Sequence, residues 1–201
     1  MPSYAVKINR KALNLEITRA LGQSPLVKRK AYNAAYGLFY RAKRAMLQEF
    51  DRHPVTNELI SGPSAANISD TLEGYGNLYS FIGFNEGETP TAPLRDLLDI
   101  ATTFRQTVYR DRKWYFQIET PSKKALEKAS PMPWERGNSW AFGVERGISG
   151  LSHFMYKRWG GGRSGSGFQL PYDNLEDAHF RPTPYLTQIL ANFRDRINNN
   201  T

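Results

Sequence analysis

Cysteine is absent from all 201 residues, which excludes disulfides and thiolate metal sites outright. Histidine is scarce: His53, His153 and His179 stand apart, without the His-x-x-x-His or His/Cys clustering that metal binding favours, and each reads as a surface or hydrogen-bonded structural residue. Long hydrophobic runs are missing too. No stretch approaches the roughly 20 apolar residues that cross a bilayer, and Met1-Pro2-Ser3-Tyr4-Ala5-Val6-Lys7 lacks the apolar core of a secretory signal. The expectation is a protein made and used in a cytoplasm, with no membrane partner. Acidic residues are nearly missing from the first 50, which hold only Glu16 and Glu49.

What is present favours a folded body. A hydrophobic content of 40%, with 13% aromatic, is too high for disorder and sufficient at this length for a single domain over 1–201 with long arms. The formal charge of +8 lies in residues 1–50, where ten Lys/Arg face two acids; the remaining 17 bases and 17 acids cancel. That basic stretch predicts one long helix from Ser24 to about Arg52. Ser24 suits its cap and Pro25 its first turn, and Ala31, Ala35, Leu38, Ala42, Ala45 and Met46 recur at helical spacing. Lys28, Arg29, Lys30, Arg41, Lys43 and Arg44 border the apolar stripe, as candidate contacts to a lumen or a neighbouring subunit. A basic face lowers the cost of approaching DNA phosphates, but a solvated face or an acidic neighbour explains most such runs. Tyr32, Tyr36 and Tyr40, spaced by four, form a second stripe that reads as packing against a sheet or neighbour rather than as base stacking.

Along the rest of the chain, Tyr4 to Ile8 alternates weakly as a short strand, and Ala12 to Leu21 predicts a helix stopped by Gly22. His53-Pro54 ends the long helix, because a residue before proline leaves the helical region. Residues 61–77, rich in Gly, Ser and Asn, predict an extended loop arm. Leu78-Tyr79-Ser80-Phe81-Ile82-Gly83-Phe84 reads as the best strand, with Tyr79 and Phe81 on one face and Leu78, Ile82 and Phe84 on the other. Pro93 to Thr103 predicts a helix with Leu94, Leu97, Leu98 and Ala101 inward. Phe104 to Arg110 and Lys113 to Thr120 predict a hairpin turning at Asp111-Arg112, with Trp114, Phe116 and Ile118 on one face. A short helix over Ser122 to Ala129 precedes a proline-broken connection. Trp140 to Gly147 reads as an edge strand whose unpaired backbone suits pairing with a neighbour. A second loop arm follows at 160–167, with Gly160, Gly161, Gly162, Arg163, Ser164 and Gly165 as candidate contacts. With about four strands and two substantial helices, and no strand-helix alternation, the fold class is α+β: a small antiparallel sheet packed against a long N-terminal helix and a C-terminal helix.

Three segments carry a resemblance. They stand within an order, a long N-terminal helix, His53-Pro54-Val55-Thr56, antiparallel strands, an Ala-x-x-Val-Glu-x-Gly strand end (Ala141, Val144, Glu145, Gly147), a glycine-rich loop and an Arg-Pro-x-Pro-x-Leu entry to the last helix (Arg181, Pro182, Pro184, Leu186), that resembles the tail-completion or neck proteins of tailed bacteriophages. The resemblance covers roughly residues 25–60 and 138–197. Departures from the family pattern are the Asn57-Glu58 pair where Asp-Thr-Gly is usual, and residues 86–135, which read as an insertion. It implies a virion structural protein without enzymatic activity or cofactor. It also implies a homo-oligomeric ring, with six subunits as one closure, that joins the head connector or adaptor to the tail-tube protein around passing DNA after assembly in the host cytoplasm. A stand-alone nucleic-acid-binding protein using the basic helix is the alternative, and a nuclease stands third.

Chemical motifs compete poorly. Gly160 to Gly167 lacks the Gly-Lys-Ser/Thr end of a phosphate loop, and Ser164 is not centred in Gly-x-Ser-x-Gly because Ser166 takes the final glycine position. Asp96 with Asp99, and Asp173 with Glu176 and Asp177, have the oxygen ligands a divalent cation wants; helix-start charges and a solvated loop are the plainer readings.

Overall fold

The computed structural model describes residues 9–72, 76–111, 113–133, 137–147 and 181–199. The fold is mixed, with helix dominant. Helix α1 spans Arg10–Gln23 and starts at Asn9, whose side chain accepts from the Lys11 and Ala12 amides. Ser24 separates it from α2, Pro25–Arg52, the long helix expected from its cap and periodicity. The predicted break at His53-Pro54 holds, but the chain turns at once into another helix, α3, Pro54–Ser61, because proline at the first helical position costs no hydrogen bond. A 3-10 turn, Gly62–Ser64, follows, and the next helix is α4, Leu78–Ile82. Then come α5, Ala92–Ala101, the strands β1, Thr103–Arg110, and β2, Lys113–Glu119, and the helices α6, Lys123–Ala129, α7, Trp140–Glu145, and α8, Leu186–Asn198.

The hairpin is antiparallel, as expected, with Thr103 opposite Glu119, Arg110 opposite Lys113 and a bulge between Arg105 and Thr107. Asp111, at φ 52°, begins its turn. Trp114, Phe116 and Ile118 are half-buried while Lys113, Tyr115 and Gln117 are exposed, which is the predicted alternation. Among the described residues this is the whole sheet, apart from an isolated antiparallel bridge between Pro131 and Ser139.

Two predicted strands are helices instead. In α4 all five residues are buried, so no face alternates; Asn77 caps the start by accepting from the Ser80 amide at 2.9 Å, and Gly83, left-handed at φ 87°, returns its amide to the Tyr79 carbonyl. In α7 the same bracket recurs: Ser139 accepts from the Phe142 amide at 3.3 Å, and Gly147 follows at φ 88°. Both runs are short and mostly apolar, and a short apolar run carries no period that separates strand from buried helix. The edge strand expected at Trp140 to Gly147 therefore does not exist as a pairing surface. The short strand expected at Tyr4 to Ile8 and the arm at 160–167 lie outside the described residues.

The chain divides into two compact units. Residues 1–41 and 103–119 make the first; 42–102 and 120–201 make the second. The insertion expected at 86–135 therefore contributes its hairpin to the first unit and its flanks to the second. In the first, Phe104 of β1 packs against α2, with its ring 5.3 Å from Tyr32, 5.7 Å from Tyr36 and 5.5 Å from Phe39. Helix α1 joins through Tyr109, whose hydroxyl donates to the Thr18 carbonyl at 3.0 Å. Gly22 lies under that ring: a Cβ there would sit 2.1 Å from Tyr109, so the residue expected to stop the helix instead admits an aromatic side chain. The second unit holds the core, built on Met46, Phe50, Leu59, Leu78, Ile82, Leu94, Leu98, Trp140, Tyr185 and Leu186.

Candidate functional site

The three segments that carry the family resemblance converge within the second unit, on Tyr185. This tyrosine is fully buried, and its hydroxyl shares a 2.8 Å hydrogen bond with that of Thr56 in α3. Its ring lies 4.8 Å from His53, 5.7 Å from Phe50 and 6.2 Å from Trp140. Burial pushes the Tyr185 phenol far above its ordinary pKa, the Thr56 hydrogen bond offsetting only part of it, so the group stays neutral. His53 caps α3 by accepting from the Val55 amide through Nδ1 at 3.3 Å. Burial lowers its pKa, against the opposing pull of the Pro184 carbonyl and Glu49.

The Ala-x-x-Val-Glu-x-Gly segment completes the junction. The Thr183 amide donates to the Val144 carbonyl at 3.3 Å, and Glu145 accepts from both the amide and the hydroxyl of Thr187, at 2.7 and 2.9 Å. Helix α8 has no side-chain cap of its own at Tyr185. Glu145 supplies one from α7 and places a carboxylate where the helix has free amides and a positive dipole end. At the far end of α8, Arg196 pairs with Glu49 of α2 at 2.6 Å.

Beside this junction stands Glu58, a fully buried carboxylate. It accepts from the Ser69 amide at 2.8 Å and from the Leu78 amide at the start of α4 at 2.6 Å, tying both to α3. Asn77 donates to the Pro63 carbonyl, Ser69 and Thr71 share a 2.7 Å hydroxyl bond, and Thr71 and Leu72 are fully buried. The described part of the loop arm expected at 61–77 holds a helix end, a 3-10 turn and the buried residues Thr71, Leu72 and Asn77. Composition missed this because Ser69, Thr71 and Asn77 find partners within the protein instead of in water.

The basic residues chosen from sequence divide between the units. Lys28, Arg29, Lys30 and Arg41 are exposed in the first and have no ion pair among the described residues. In the second, Arg44 is exposed while Lys43 is engaged with Asp99 at 2.8 Å. The Lys43 hydrogen bond and charge, with Arg95 assisting, hold the Asp99 carboxyl below its usual pKa. Asp99 therefore serves an ion pair; the other acidic run, Asp173 to Asp177, lies outside the described residues, as do Gly160, Gly161, Gly162, Arg163, Ser164 and Gly165. The tyrosine stripe packs on Phe104 as the sheet reading anticipated, yet Tyr32, Tyr36 and Tyr40 stay 40%, 44% and 54% exposed. The larger described groove, about 560 Å³, is walled by Phe84, Pro90, Pro93, Met132 and Trp140, with Glu88 at its edge and no histidine, serine or lysine beside that carboxylate.

No helix among the described residues is long and apolar enough to cross a membrane. A scan against family models and searches of curated proteins and of solved structures found no match.

Proposed function

We propose that this chain is a structural subunit of the head-tail junction of a tailed bacteriophage, a ring former that joins the head connector to the tail tube around the DNA path. The observation that carries this reading is the convergence on Tyr185. Three segments far apart in sequence, each chosen for its likeness to neck and tail-completion proteins, pack and cap one another through Thr56, Val144, Glu145, Thr183 and Thr187. Their use is to fix a framework. Supporting it, the first unit exposes Leu13, Ile17, Leu21 and Leu26, apolar surface of the kind an assembly buries. A ring also needs two unlike surfaces on each subunit, because a head-to-tail contact closes a cycle where a self-complementary one stops at a dimer.

The test is reconstitution. The purified protein is mixed with the connector and tail-tube proteins encoded beside it, then followed by sedimentation velocity and negative-stain microscopy. Closed rings of uniform subunit number, seated on the connector, are the expected result. A chain that stays monomeric in the presence of both partners overturns the reading.

A further inference from the structure

The net charge of the chain is a property of one unit. Residues 1–41 and 103–119 hold twelve of the 27 Lys/Arg and three of the 19 Asp/Glu, so the first unit carries +9 and the second −1. On that basic unit the outer stripe of α2 is aromatic. Tyr32 and Tyr36 lie parallel within 7° at 5.9 Å, and Tyr36 and Tyr40 within 25° at 6.5 Å. The rise of about 1.5 Å per residue makes this a ladder roughly 12 Å long. It is not loose: Phe104 meets Tyr32 and Tyr36 edge-on from beneath, at 74° and 77°. Cations bracket it. Lys28 and Arg29 stand four and three residues before Tyr32, hence on its side of the helix, and Arg41 follows Tyr40.

We propose that the first unit binds single-stranded nucleic acid along this stripe, the tyrosine rings stacking on unpaired bases while Lys28, Arg29 and Arg41 take the phosphates. The chemistry selects the ligand. An acidic peptide answers the cations but leaves three flat rings uncovered, and an apolar protein face covers the rings but buries unpaired cations at a cost. A second copy presenting the same face brings its own +9 and is repelled. Single strands alternate phosphates with free π-faces and satisfy both, whereas a duplex hides its bases and uses the cations alone. The proposal is independent of the ring reading, since ring formation and strand binding are measured separately and fail separately.

The experiment titrates the full chain into fluorescently labelled oligo-dT of 20 nucleotides and, in parallel, a 20-base-pair duplex, from 50 to 300 mM salt. The expected result is tighter binding of the single strand. Tyr36→Ala with Tyr40→Ala should weaken oligo-dT binding roughly tenfold or more and leave the duplex unchanged, while Tyr36→Phe with Tyr40→Phe retains it. Lys28→Glu with Arg29→Glu should weaken both ligands and flatten the salt dependence of oligo-dT binding by about 0.7 in log-log slope per phosphate contact removed. All six substitutions fall on exposed side chains, and circular dichroism checks that each variant is folded. The idea fails if oligo-dT and duplex bind alike with no response to the alanine variants. It fails equally if polyglutamate competes as well as oligo-dT, which would assign the charge to an acidic protein partner, or if no binding occurs at 100 mM salt.

Discussion

The first unit has charge and exposed apolar side chains; the second has the core. Among the described residues, the buried apolar side chains all belong to the second unit except Phe39. The exposed large apolar ones belong to the first except Ile60, Ile68 and Ile100. Hydrophobic content is thus no guide to where stability resides. Both units are rich in apolar residues, but one uses them against itself and the other presents them outward, with cations between. The division places the buried core in the second unit and most of the exposed large apolar side chains in the first.

That contrast is broken most directly by truncating matched residues. Ile82→Ala removes a fully buried side chain from the second unit and should cost about 2–5 kcal/mol. Ile17→Ala, on the exposed side of α1, should change stability by less than about 0.5 kcal/mol. Urea denaturation of both variants decides it; comparable losses at the two sites would erase the division. A sharper cut is at Glu58. Glu58→Ala strands two buried backbone amides and should cost about 3 kcal/mol or more, while Glu58→Gln keeps one acceptor oxygen and should cost roughly half. Hydrogen exchange at the Ser69 and Leu78 amides, slow in the native chain, should accelerate in both; unchanged protection in the alanine variant would show that the carboxylate is not the clasp.

The first unit should respond to overfilling rather than to truncation. Gly22→Ala drives a methyl group into the Tyr109 ring and should cost about 1–3 kcal/mol. Because the Tyr109 ring lies 4.9 Å from that of Trp114, tilted at 51°, an altered indole environment should report the displacement. An unperturbed fluorescence spectrum, with stability intact, would mean that α1 and the hairpin are not packed together through this contact. The smallest effect is the pH response of the Tyr185 junction. The folded-state pKa of His53 lies below its ordinary 6.5, so between the two values the unfolded chain binds more protons. Stability should be level above about pH 6.5 and decline as the pH falls through that window, with protonation of Nδ1 also removing the acceptor for Val55. Thermal midpoints from pH 8 to 5 test this against His53→Asn, in which the His53 contribution to the slope should vanish.

What could be read from the sequence depended on whether the signal was local. Helix α2 and the hairpin carry their evidence within a few residues: Ser24-Pro25 with helical spacing in one, strict alternation around Asp111 in the other. Helices α4 and α7 were also bracketed locally, by Asn77 and Gly83 and by Ser139 and Gly147, but the apolar runs between them overrode those brackets when read as strands. Glu58 was invisible for a different reason. Its partners lie 11 and 20 residues away, and nothing in an Asn-Glu dipeptide marks the carboxylate for burial. The Arg-Pro-x-Pro-x-Leu pattern gives the clearest lesson, since its unspecified positions, Thr183 and Tyr185, make the bonds that join the segments. A motif written from its prolines located the junction and omitted the residues that form it.

The contact between Tyr109 and Thr18 closes a loop of 91 residues, and that between Arg196 and Glu49 one of 147. Helix α1 and the C-terminal end of α2 therefore wait for chain that has not yet been made. At roughly 5–20 residues per second of synthesis, α1 and α2 would stand on the ribosome without the hairpin for about 3–13 s, and without α8 for longer. During that interval the tyrosine ladder has no Phe104 beneath it and Glu49 has no Arg196. Chains interrupted before residue 103 should therefore accumulate as insoluble fragments rather than as a folded basic helix, which fractionation of truncated chains checks.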